Sequence, residues 1–110
     1  MTSEVALTLT ALADDTRCGA IEALGEGPLS AGELAARLDV TPAALTRHLR
    51  VLRQAGLVSV SLDDNDSRRH VYSVQPAGLL GLNDWARRVT MFWSSQLASF
   101  ADEASGEGQQ

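Results

Sequence analysis

The chain has 110 residues, of which 45% are hydrophobic, enough for one domain with a modest core that a dimer partner would help to complete. It holds no run of about 18 apolar residues and no basic-then-apolar signal segment, so it is expected to be neither membrane-spanning nor secreted but cytoplasmic, and its single cysteine, Cys18, excludes an intrachain disulfide. The net charge of −5 taken alone opposes a nucleic-acid partner, because phosphate neutralisation is the main sequence-independent source of such affinity.

Along the chain, Val5, Leu9 and Leu12 recur at helical spacing in residues 3–12, and Asp14 or Asp15 can cap a second helix that buries Cys18, Ile21 and Leu24. Ser30 is followed three residues later by Glu33, a capping box, and Leu34 and Leu38 then fall on one face of a helix about nine residues long. Asp39 and Val40 make a turn, Thr41 caps the next helix with its hydroxyl, and Pro42 takes the first helical position, where its missing N–H costs nothing. Leu45, Leu49 and Leu52 form an inward stripe on that helix, which leaves Ala43, Ala44, Thr46, Arg47 and Arg50 mostly outward, and Gly56 supplies the stop.

Val58, Val60 and Leu62 next alternate with Ser59 and Ser61, the turn DDNDS follows, and RRHVYSV resumes an extended pattern, together a β-hairpin. From about Ala77 a long helix carries Leu82, Trp85, Val89, Phe92, Trp93, Leu97 and Phe100 as a wide apolar stripe. So much apolar surface on so small a core predicts a homodimer whose interface includes Val5, Leu9, Leu82, Trp85, Val89, Phe92 and Trp93. Residues 101–110, ADEASGEGQQ, are polar and acidic without periodicity and are expected to fray or be disordered.

Two short helices joined by a tight turn, followed by a hairpin, read as a winged helix-turn-helix. The second helix of such a pair enters the major groove of duplex DNA and the hairpin lies along the flanking backbone. Five of the nine arginines, Arg47, Arg50, Arg53, Arg68 and Arg69, fall between residues 47 and 69, where only Asp63, Asp64 and Asp66 are acidic. A basic face on an acidic dimer is the result, with salt-sensitive binding.

Three stretches carry a resemblance to a known family: ALADDTR at 11–17, ELAARLDVTPAALTRHLRVLRQAGLV at 33–58, and RRHVYSVQPAGL at 68–79. They resemble the ArsR/SmtB winged-helix transcriptional repressors over most of residues 11–97. The resemblance implies a bacterial homodimeric repressor that leaves its operator when a signal arrives, with the first and last helices at the dimer interface. The expected fold is therefore mainly α with a small β-hairpin, a winged helix-turn-helix of about five helices over residues 1–100.

The expected DNA-binding residues are Thr41, Pro42, Ala44, Thr46, Arg47, Arg50, Arg68 and Arg69. Arg47 is the principal base reader. Thr46 bonds a base edge or phosphate and Thr41 a phosphate while capping, each against an equal structural reading, and Arg50 either touches phosphate or pairs with an acid of its own surface. Arg68 and Arg69, with His70, supply phosphate contacts from the returning strand. Arg53 near the helix end complements the helix dipole, and His48 at the edge of the buried stripe reads as a packed histidine rather than a base reader. The resembling family often has a polar residue such as glutamine at position 42; Pro42, Ala43 and Ala44 donate no side-chain hydrogen bond, so specificity rests on Arg47, Thr46, thymine-methyl contacts and DNA shape.

Metal sensors of this family use a cysteine pair in the first reading helix or histidine and carboxylate ligands across the last helix, and neither set is present. No metal and no cofactor is expected, Cys18 reads as a small buried hydrophobe, and a small-molecule or protein effector is left open. No nucleophile–base pair, acid–base carboxylate pair or phosphate loop suggests an enzyme. The alternative is a winged helix that serves as a protein-interaction module, for which the acidic total and the aspartates of the hairpin turn are the best support.

Overall fold

In the computed structural model, which describes the backbone of residues 3–108 and the side chains of residues 3–102, each of the first four helices starts where a side chain can accept from its unpaired amides. The order is α1 (Glu4–Leu12), α2 (Asp15–Leu24), α3 (Ala31–Leu38), α4 (Pro42–Gln54), β1 (Val58–Leu62), β2 (His70–Val74) and α5 (Pro76–Gly108). Ser3 accepts from the Ala6 amide, Asp14 from those of Thr16 and Arg17, and Thr41 from that of Ala44. At α3 the capping box forms in both directions, with Glu33 N donating to Ser30 Oγ at 3.2 Å and Ser30 N to Glu33 Oε1 at 3.1 Å.

The core lies where α2, α3, α4 and the base of the hairpin meet. Leu34, Leu45, Leu52 and Leu57 are completely buried, and Leu24, Leu49 and Val58 nearly so. The turn between α3 and α4 places Asp39 at φ 55°, a left-handed conformation that aspartate tolerates better than most side chains. A second reversal follows α4, where Gly56 takes φ 74° and the Leu57 amide returns to the Leu52 carbonyl at 3.0 Å. β1 and β2 pair antiparallel from Val58↔Val74 to Leu62↔His70. Leu29 joins the sheet through a bridge to Tyr72, with mutual backbone hydrogen bonds of 3.2 and 2.8 Å. Five helices and one antiparallel hairpin thus make the winged helix-turn-helix expected from the sequence.

Several local expectations are corrected. In α2 the buried positions are Ala20 and Leu24; Cys18 and Ile21 are only half-buried, and the Cys18 thiol donates to the Leu12 carbonyl at 2.9 Å. Along the hairpin, Val58 and Val71 are buried but Leu62 is 52% exposed, because the wing extends beyond the helices that would cover it. Arg68 and Arg69 precede β2 and sit in the turn rather than on the strand. No correction arises in α1, where Thr8 and Ala11 are buried while Val5, half-buried, and Leu9, exposed, are the residues expected at a dimer interface.

α5 starts against the core and leaves it. Its first turn passes so near Leu57 that a Cβ on Gly78 would come within 2.7 Å of Leu57 Cδ2, and α1 then packs along it. The helix continues through residues 101–108, where polar composition predicts fraying, while residues 109 and 110 lie outside the described residues.

Candidate nucleic-acid interface

α4 separates two surfaces by its own periodicity. Leu45, Leu49 and Leu52 lock one side into the core, so the opposite side cannot rotate inward without exposing three leucines. On that outer side Thr41, Pro42, Ala43, Thr46, Arg47 and Arg50 are exposed and Ala44 is half-buried. The Thr41 hydroxyl accepts from the Ala44 amide and keeps its own proton for a ligand oxygen, whereas Thr46 Oγ1 donates to the Pro42 carbonyl at 2.9 Å and retains only lone pairs for a ligand. Arg47 and Arg50 make no ion pair with any acid among the described residues. Farther along the helix, Arg50, Arg53 and Gln54 border a shallow cleft of about 470 Å³ that Val58, Ser59 and Val60 of β1 close.

The two wing arginines part company. Arg68 keeps a side chain that is 94% exposed, with Asp66 Oδ1 3.8 Å from its Nε, and can turn toward a phosphate. Arg69 is turned back onto the protein, paired with Glu33 of α3 and, at 2.8 Å, with Asp63. It braces the wing against the first reading helix. Two of the three acidic residues that weighed against phosphate binding here also serve the turn, since Asp63 accepts from the Asn65 amide and Asp66 from the Arg68 amide, each at 3.0 Å. The expected site residues therefore form one group from Thr41 to Arg50 on α4 and a separate contributor, Arg68, at the wing tip.

His48 is half-buried and faces the start of α2, in keeping with its reading as a packed histidine. Its Nδ1 lies 3.1 Å from Arg17 Nη1 and 3.9 Å from Asp14 Oδ1. The Arg17 amide that donates to Asp14 holds the Asp14 carboxyl below the usual aspartate range, opposed by partial desolvation and helped by the Arg17 guanidinium and, when it is protonated, by His48. Sequence reasoning missed the Asp14–Arg17–His48 group, because 31 residues separate Arg17 from His48 and no local pattern joins them.

The surface expected at a dimer interface is open in the single chain. Leu82 and Val89 are half-buried, while Trp85 is 38%, Phe92 58% and Trp93 59% exposed, and the Phe92 and Trp93 rings meet edge to face at 5.7 Å. Among the described residues no three histidine, cysteine, aspartate or glutamate side chains gather as a metal ion would require, and no helix is long and apolar enough to cross a membrane.

A helix-turn-helix domain model matches residues 12–61, which span α2 to β1. The chain is 41% identical over 98 residues to the HTH-type transcriptional regulator Rv2034 of Mycobacterium tuberculosis, covering 89% of this chain and 86% of that one. It is 43% identical over 56 residues to the biofilm growth-associated repressor of Agrobacterium fabrum, covering 51% of this chain and 48% of that one. Among solved structures, the ArsR-like transcriptional regulator from Rhodococcus sp. RHA1 superposes with a TM-score of 0.75 at 32% identity, covering 88% of this chain and 89% of its own.

Proposed function

We propose, for a chain that belongs to the ArsR family of winged helix-turn-helix transcriptional regulators, that it is a homodimeric repressor that reads an inverted-repeat operator. The observation that carries the reading is the outer side of α4, where Thr46, Arg47 and Arg50 stand exposed on a helix whose other side is fixed by Leu45, Leu49 and Leu52. A rigid helix presenting an unpaired guanidinium near its N-terminal half suits major-groove readout, in which an arginine bonds guanine O6 and N7 together. In this reading Arg47 reads a base, Pro42 and Ala44 pack against the groove with thymine methyls as apolar partners, Thr41 and Arg50 meet phosphates, and Arg68 reaches the backbone from the wing tip. Arg69, tied to Glu33 and Asp63, supports the wing and contributes to DNA only through its placement.

A dimer is supported by the exposed aromatic stripe of α5 together with Leu9 of α1, which a second copy would cover about a twofold axis. Repression is supported by the likeness of the chain to the biofilm growth-associated repressor of Agrobacterium fabrum. The signal that releases the operator is a small molecule or a protein rather than a metal ion, in line with a first reading helix without cysteine and a last helix without histidine.

Sequencing of duplexes retained by the pure protein from a random pool tests the proposal. The expected product is an inverted repeat with half-sites about one helical turn, ~10 base pairs, apart or a multiple of it. Enrichment of a single unrepeated half-site would refute the dimeric mode. Recovery of no enriched sequence would refute DNA reading and favour a protein-interaction module.

A further inference from the structure

The leucine stripe that seats α4 is apolar and non-directional, and the polar contact beside it is neither. Arg17 carries donors only, so a guanidinium nitrogen 3.1 Å from His48 Nδ1 requires that nitrogen to be a bare acceptor, with the imidazole neutral and its proton on Nε2. The guanidinium is itself fixed, because Arg17 Nε donates to the Ala11 carbonyl at the end of α1. Three helices thus converge on a ring that is the chain neighbour of Arg47. We propose that Arg17 is a positioning residue for DNA reading that acts through neutral His48, and that protonation of His48 moves its hold from Arg17 to Asp14, which displaces α4 from its reading position and weakens operator binding. The inference rests on the DNA-reading role argued above.

A proton on Nδ1 removes the acceptor and sets a second cation 3.1 Å from the guanidinium. The ring is then drawn toward Asp14 Oδ1, 3.9 Å away, and the hold passes from Arg17 to the α2 cap. The charged groups around the ring are Asp14 and Arg17 from α2 and the adjacent Arg47 on α4 itself, while α1 contributes the Ala11 carbonyl through Arg17.

The test uses the full chain and the duplex it enriches from a random pool, with affinities measured by fluorescence anisotropy at constant ionic strength from about pH 8 to about pH 5.5. Wild type should lose at least about five-fold in affinity on acidification. His48→Gln, whose amide oxygen can accept from Arg17 but does not titrate, should bind as wild type does at neutral pH and lack the acid loss. His70 on the wing is present in both proteins, so its own titration cancels from the comparison. Arg17→Ala should bind at least about five-fold more weakly at neutral pH, and this loss should shrink in the Arg17→Ala/His48→Ala background, as coupled residues require. Should Arg17→Ala not fold, the wild-type and His48→Gln profiles decide alone. Nitrogen-15 spectra of the unbound protein should show the Nε2–H tautomer at neutral pH. Superimposable pH profiles for wild type and His48→Gln, or an Nδ1–H tautomer, would overturn the inference while leaving DNA reading intact. A failure to enrich any duplex would overturn DNA reading and this inference with it.

Discussion

Replacing Arg47 with alanine should remove operator binding without loosening the fold. Its side chain is exposed, lies opposite the buried leucines of α4 and pairs with no acid among the described residues, so stability should stay within about 0.5 kcal/mol of wild type. A bidentate arginine–guanine contact discriminates by about 1–3 kcal/mol, and a dimer makes it twice on a symmetric operator. The expected loss is therefore about 2–6 kcal/mol, or from roughly 30-fold to roughly 10⁴-fold in Kd. Anisotropy titrations on the selected duplex and on a scrambled one, each at several salt concentrations, separate the two modes of contact. A base contact costs affinity mainly on the selected duplex and relaxes one position per half-site. A phosphate contact weakens both duplexes and flattens the salt dependence by about 0.9 per arginine, or about 1.8 per dimer. Arg69→Ala is the control: it breaks partly exposed pairs to Glu33 and Asp63, each worth at most about 1 kcal/mol after solvent screening, and should lower the melting temperature slightly with the salt slope unchanged. Unaltered affinity of Arg47→Ala on both duplexes would refute the assignment of α4 as the reading helix.

Three further outcomes follow from the packing. Gly56→Ala places a side chain at φ 74° and should destabilise the chain by about 1–2 kcal/mol in urea titrations; an unchanged midpoint would show that the turn relaxes at no cost. Phe92→Ala with Trp93→Ala removes two exposed rings from α5 and should shift the sedimentation profile from dimer toward monomer at micromolar concentration, whereas an unmoved profile would place the interface elsewhere. Asp14 has its folded-state pKa depressed, first by the Arg17 amide and then by the charges of His48 and Arg17, so its stabilising contribution is present above the unfolded value near ~3.9 and is lost as pH falls through the lower folded value. Thermal melts should show Asp14→Asn less stable than wild type at neutral pH and converging on it in that acidic window; parallel curves would contradict the assignment.

What was legible in the sequence was local. Ser30 with Glu33, Thr41 with Pro42, and Gly56 mark helix ends through contacts no more than a few residues long, and the observed bounds of α3 and α4 follow them closely. The leucine stripe of α4 was legible for the same reason, because its polar and apolar residues alternate without ambiguity. In α2 the small residues Cys18, Gly19 and Ala20 adjoin Ile21, so periodicity could not choose between Cys18 and Ala20 for the core. Leu62 kept the alternation of its strand but lost its cover, since how far a wing projects depends on what stands beneath it. The sequence around Arg69 suggests a phosphate contact, whereas the fold sets Glu33, 36 positions earlier in the chain, beside it. The Arg17–His48 contact was hidden in the same way. The last two are pairings made by tertiary structure between residues whose own surroundings in sequence suggest something else.

The placement of charge explains how a chain with a net −5 can read DNA, and it leads to a last test. Arg37 is paired with Glu26 at 2.8 Å, Arg69 with Glu33 and Asp63, and Arg17 is engaged by His48 and the Ala11 carbonyl. Positive charge with no such engagement among the described residues lies at Arg47, Arg50 and Arg53 of α4 and at Arg87 and Arg88 of α5, so that the reading helix carries three of these five arginines, and the acidic remainder of the surface repels DNA that does not fit. Binding to arbitrary sequence, which depends on phosphate neutralisation alone, should be weak, and discrimination correspondingly large. Glu33→Gln with Asp63→Asn tests this arrangement because the two amides still accept from the Ser30 and Asn65 backbone N–H groups yet no longer neutralise Arg69. The variant should bind a scrambled duplex more tightly than wild type, with a salt slope steeper by up to about 0.9 per chain, and should discriminate less between scrambled and selected duplexes. If scrambled-duplex affinity and slope are unchanged, neutralisation of Arg69 is irrelevant to DNA, and the weak non-specific binding must come from the acidic total charge alone.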